Sequence, residues 1–117
     1  WWLAGDKSLG IAARQAIADP ANEVWVSAVS AFEVTTKFQL GKLPEAEHLA
    51  IDFTGECTAE GFVGLDILIS HGERAGAFAH PHRDPFDRLL IAQALIEDMT
   101  LVSNERLFDG FGVKRLW

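Results

Sequence analysis

The run Asp84-Pro85-Phe86-Asp87-Arg88-Leu89-Leu90-Ile91-Ala92-Gln93-Ala94-Leu95-Ile96 restricts the fold more than any other stretch of this chain. Asp84 is an N-cap residue and Pro85 suits the first helical position, so a helix is predicted from Phe86 to about Asp98. Its apolar residues cover almost the whole circumference, and a helix of that kind must be buried. Other elements therefore have to enclose it. A single domain of 117 residues is long enough to supply them.

The flanking segments alternate between the two periods. Asp6 or Ser8 can cap a helix running to about Ala18, closed by Asp19-Pro20. Val24 to Ser27 is β-branched and aromatic, a short strand, and Ser30 to about Leu40 follows as a helix ended by Gly41 and Pro44. Another helix is predicted from about Glu45 to Cys57, with Leu49, Phe53 and Cys57 on one face. Phe62 to Leu68 reads as a strand, and Ser70 can cap a short helix to about Phe78. After the buried helix come a strand at Thr100 to Ser103, a helical turn around Arg106 to Asp109 and a strand from Val113 to Trp117. Strands alternating with helices imply an α/β domain with a mostly parallel sheet and helices on both faces.

Composition removes several function classes. A net charge of −7 is wrong for bulk attraction to nucleic acid, so any nucleic acid must be met by a local basic surface. Lys37, Arg83 and Arg88 are the candidates for one. The same acidity suits divalent cations or a basic partner protein. Cys57 is the only cysteine, which excludes an internal disulfide and fits a reducing cytoplasm. No apolar stretch reaches the roughly 18 residues of a membrane span. No Gly-rich phosphate loop follows a strand, and the four histidines show no HExxH spacing. His80 and His82 flank a proline in a predicted loop, where either could meet a phosphate.

In an open α/β sheet, sites form beyond the carboxyl ends of the strands, where loops enter helices. Glu33 is expected there, in the first turn of the helix that follows Ser27. Glu105 lies two residues past Ser103. Asp87 falls in the first turn of the buried helix, and its neighbours Leu90, Ile91 and Ala94 form a core stripe, so its carboxylate should face the sheet end. Each acid also has a plainer role. Ser30-Ala31-Phe32-Glu33 reads as a capping box, with Glu33 and Lys37 an i,i+4 pair. Asp84 is a cap, and Glu105 could be a surface acid at a helix start. Taken together, three carboxylates at one edge suit Mg²⁺ or Mn²⁺, which take oxygen ligands. Clustered acids disfavour one another's charge unless a cation neutralises them. A metal held there could activate water for attack on a phosphodiester.

The runs SAVSAFEVTTKFQLGKL, residues 27–43, and HPHRDPFDRLLIAQALIEDMTLVSNERLF, residues 80–108, resemble PIN-domain proteins, in particular the VapC-like ribonuclease toxins of toxin–antitoxin modules. WWLAGD at the start is similar to the segment after the first strand in that family, and the resemblance extends over essentially all of residues 1–117 as one domain. It implies a three-layer α/β/α fold, a Mg²⁺- or Mn²⁺-dependent acidic site, RNA as substrate, an antitoxin partner and a homodimer. The family's second, third and fourth acids fall on Glu33, Asp87 and Glu105, the last a position where aspartate is more usual. Its first strand, ending in an aspartate, would lie upstream of Trp1. An alternative reading keeps the fold without the chemistry: an inactive module whose acidic groove holds a basic, antitoxin-like partner.

Overall fold

The computed structural model describes residues 8–117. Asp6 and the WWLAGD segment lie outside the described residues. The order is α1 (Ile11–Ala18), β1 (Trp25–Ser27), α2 (Ala28–Gln39), a 3-10 turn (Pro44–Ala46), α3 (Glu47–Ile51), α4 (Phe53–Ala59), β2 (Val63–Leu65), α5 (Ile69–Ala77), α6 (Pro85–Ile96), β3 (Leu101–Val102), a 3-10 turn (Arg106–Phe111) and β4 (Arg115–Leu116). This is the expected mixture of helices and short parallel strands.

Among the described residues the strands pair in two parallel ladders. Trp25, Val26 and Ser27 of β1 face Val63, Gly64 and Leu65 of β2. Leu101 and Val102 of β3 face Arg115 and Leu116 of β4. The predicted strands were longer, from Phe62 to Leu68 and from Val113 to Trp117. Among the described residues each is shorter, with two or three residues paired to a neighbouring strand.

Helix α6 is buried in its middle, where Ile91, Ala92, Gln93 and Ala94 are consecutive buried residues on all sides. Ile91 and Ala94 join Phe108 and Val113 in the main apolar cluster, with Phe78, Leu95, Leu101 and Phe111 packed against it. The helix that looked most enclosed in the sequence thus lies under α5, α2 and the β3–β4 end of the domain.

Gln93, a polar residue in that buried row, is fully satisfied. Its Oε1 accepts from Ser27 Oγ at 2.5 Å, and its Nε2 donates to the Asp66 carbonyl at 3.1 Å. Beside it His71 is completely buried; its Nδ1 accepts the Leu68 N–H at 3.0 Å, which leaves Nε2 to donate to Glu97 Oε1 at 2.9 Å. The helix therefore starts before the cap assigned to Ser70: Leu68 is the N-cap residue, and the His71 side chain reaches back to its N–H.

Three other boundaries move for local reasons. The helix predicted from Glu45 to Cys57 breaks at Asp52, whose Oδ1 turns to accept the Gly55 N–H at 3.0 Å and opens α4 as a new helix. Leu49 and Cys57 are still buried on the expected face. α1 starts after Gly10 rather than after Ser8, and a Cβ at Gly10 would collide with the backbone and ring of Trp117. Gly112 ends the second 3-10 turn at φ +78°, in the left-handed region that glycine enters without strain.

Candidate active site

Strand β1 runs into α2 with no loop between them. Ser27 closes the strand and caps the helix at once, its Oγ accepting the Val29 N–H at 3.0 Å. This corrects the capping box expected at Ser30-Ala31-Phe32-Glu33: Ser30 is already inside the helix. Glu33 consequently sits in the second turn, where its carboxylate has no N–H to cap. It pairs instead with Lys37, Oε2 to Nζ 3.7 Å, with Lys37 exposed and Glu33 partly covered.

The start of α6 is built as the sequence suggests. Asp84 Oδ1 accepts from the N–H groups of Phe86 and Asp87 at 2.9 and 3.3 Å, and Pro85 occupies the first helical position. With the cap supplied by Asp84, the Asp87 carboxylate is released from capping while remaining near the positive end of the helix. Its Oδ2 accepts from His82 Nε2 at 2.8 Å, and both side chains are largely covered, His82 21% and Asp87 25% exposed. The ring of Phe86 packs edge-on against Phe32 of α2 with centroids 5.4 Å apart. That contact draws the segment bearing Glu33 towards the segment bearing Asp87.

Arg88 is a correction. The sequence offers it as a phosphate contact, but its guanidinium is directed into the protein, onto four carbonyl oxygens. Nε donates to Ala75 at 3.0 Å, Nη1 to His80 and His82 at 3.0 and 2.8 Å, and Nη2 to Phe78 at 2.6 Å. The cation thereby meets the unpaired carbonyls at the end of α5, where positive charge is favoured, and pins the loop that follows. Arg83 stays exposed, at the edge of a shallow groove with Gly72, Gly76 and Leu89.

Glu105 serves as the cap of the second 3-10 turn, Oε1 accepting from Leu107 N at 3.2 Å, and its own N–H donates to Ser103 Oγ at 3.0 Å. The three carboxylates are thus engaged apart from one another, on Lys37, His82 and Leu107. Among the described residues no three His, Cys, Asp or Glu side chains come together to hold a metal ion. The expectation that Glu33, Asp87 and Glu105 converge on one ion is not met there, because sequence spacing placed the residues at helix starts without fixing where each side chain turns. The described residues alone thus offer at most two such ligands at any one place, the number of carboxylates by which Mg²⁺ is usually held.

The His82–Asp87 pair was not expected from the sequence. The only signal for it was a histidine five residues ahead of the acid, across a helix start whose cap was already assigned.

The described residues form an α/β domain with parallel strands and a partly covered carboxylate at the start of its most buried helix. The PIN domain family model matches residues 1–114, and the chain belongs to that family. PIN domains are generally nucleases, and they typically use divalent metal ions. No curated protein and no solved structure gives a significant match. No helix among the described residues is long and apolar enough to cross a membrane.

Proposed function

We propose that this chain is a ribonuclease of the VapC-like kind, the toxin of a toxin–antitoxin pair, hydrolysing RNA phosphodiester bonds with Mg²⁺ or Mn²⁺. The observation that carries the reading is Asp87: in a PIN domain, a carboxylate freed from capping, partly covered and held at the first turn of the buried helix, with the Glu33 segment brought up by the Phe32–Phe86 contact. Asp87 is the central acid in this reading and Glu33 its neighbour. Glu105 Oε1 is committed to Leu107 N, so Glu105 would join them through its other oxygen. Lys37 and Arg83, both exposed, are the proposed phosphate contacts.

The partner reading has its own support. Ile67, Leu68 and Ile69 are exposed together before and at the start of α5, and the chain carries a net charge of −7. A basic protein with apolar side chains, of the antitoxin type, complements both features. A homodimer and a cytoplasmic location belong to the same proposal.

The test is RNA cleavage by the purified protein with Mg²⁺ or Mn²⁺ and with excess EDTA, for wild type and Asp87→Asn. Cleavage that needs the cation and falls by about 100-fold or more in the variant is expected. Cleavage that persists in EDTA, or in Asp87→Asn, rejects the reading. An intact fold with neither cleavage nor tight Mn²⁺ binding points instead to an inactive partner-binding module.

A further inference from the structure

The loop between α5 and α6 has no regular structure, yet its backbone is tied down more thoroughly than its length requires. Three of its carbonyls, those of Phe78, His80 and His82, are taken by Arg88. The guanidinium also lies 5.6 Å from the centre of the Phe78 ring. His80 stacks on Phe111 with centroids 4.1 Å apart, and its Nδ1 accepts the backbone N–H of His82 at 3.1 Å. The His82 ring is then bounded by the edges of Phe108 and Phe111, at 6.3 and 6.4 Å. These restraints converge on one outcome, the delivery of His82 Nε2 to Asp87 Oδ2 at 2.8 Å.

We propose that His82 is a positioning residue for Asp87: its Nε2–H holds one carboxylate oxygen and so fixes the direction of the other. The hydrogen bonds of Asp87 described above engage Oδ2 and the backbone N–H, so Oδ1 is the oxygen this proposal assigns to the reaction. A carboxylate that could swing about its χ2 would lose this, and reacting groups misplaced by about 1 Å can cost on the order of 100-fold in rate. The inference rests on the ribonuclease reading and adds to it a residue that acts through Asp87 rather than on RNA.

Two measurements test it. The first needs no activity: ¹⁵N NMR of the imidazoles should show His82 with its proton on Nε2, and that signal should shift in Asp87→Asn. A neutral ring with its proton on Nδ1 and none on Nε2, or a signal blind to the substitution, overturns the proposal. The second compares His82→Gln, which keeps an N–H donor, with His82→Phe, which keeps only the ring bulk. The expected result is a kcat about 10- to 100-fold lower for His82→Phe with KM little changed, and substantial recovery in His82→Gln. A rise in KM with kcat held would make His82 a phosphate contact and overturn the positioning role, as would unchanged kinetics in His82→Phe. Should wild type itself fail to cleave RNA with either cation, the ribonuclease reading falls, and this role with it. Cleavage by wild type with a His82→Phe variant equally fast removes the positioning role alone.

Discussion

Two arginines each fasten a stretch of chain near the candidate site, and they do so with different acceptors. Arg88 holds the loop between α5 and α6 through carbonyl oxygens only, those of Ala75, Phe78, His80 and His82. Arg115 of β4 holds the second 3-10 turn mainly through a carboxylate: Nε and Nη2 donate to Asp109 at 2.9 and 3.2 Å, while Nη1 donates to the Ser103 carbonyl at 3.0 Å. A carbonyl cannot be protonated away in the pH range of proteins, whereas an exposed carboxylate can. The loop that presents His82 to Asp87 is therefore fixed by permanent partners. The turn that begins at Glu105 is fixed by a partner that depends on its charge.

The largest effect should come from removing the permanent clamp. In Arg88→Ala four carbonyls lose a charged donor, and hydrogen bonds to charged groups are each worth about 1.5–3 kcal/mol. Water can reach part of the vacated space, since these bonds are only partly buried, so a net loss on the order of 3 kcal/mol is expected rather than the full sum. Arg88→Lys should recover a minor part, because one ammonium cannot span four acceptors set in a fork. Urea unfolding measures both. A midpoint unmoved in Arg88→Ala would show that the loop keeps its path without the guanidinium.

A smaller effect separates the cap of α6 from the clamp beneath it. Asp84 accepts two N–H groups at the helix start, and Asp84→Ala should cost about 1 kcal/mol. Asp84→Asn should retain most of that stability, since asparagine caps nearly as well. If Asp84→Ala also abolished the His82 NMR signature, the cap would be helping to aim Asp87 and not only to end the helix.

The same contrast explains which parts of the molecule could be read from sequence. Local rules were enough for α6: Asp84, Pro85 and an apolar circumference announce a capped, buried helix, and the structure has one. They failed at Ser30 because Ser27, three residues earlier, both ends the strand and caps the helix, so no loop intervenes. They failed at Asp52 because periodicity across Leu49, Phe53 and Cys57 survives a helix break that keeps the same face inward. Arg88 and His82 were beyond such rules altogether. Their partners are set by the path of an irregular loop, and no spacing encodes that path. For the acids, the sequence indicated the helix starts but not the turn of each side chain, which is why the expected convergence of Glu33, Asp87 and Glu105 is absent among the described residues.

The smallest effect is the one that exposes the difference between the two clamps most directly. The hydrogen bond from Arg115 is the main cause that holds the Asp109 carboxyl below its ordinary 3.8; partial desolvation opposes it, and the charges of Arg115 and Arg106 assist. A carboxyl depressed on folding binds fewer protons in the native state than in the unfolded chain. Its contribution is therefore fully present above the ordinary carboxylate value and disappears as pH falls through the lowered one. Wild type should exceed Asp109→Asn in urea midpoint at neutral pH by a small margin, since the pair is solvent-exposed, and added salt should narrow it. In strong acid the two proteins should coincide. The deficit of Arg88→Ala relative to wild type should persist over the same range, because no acceptor of Arg88 takes up a proton. An Arg88→Ala deficit that vanished in acid together with the Asp109→Asn margin would mean that the carbonyl clamp owes its strength to a neighbouring carboxylate after all.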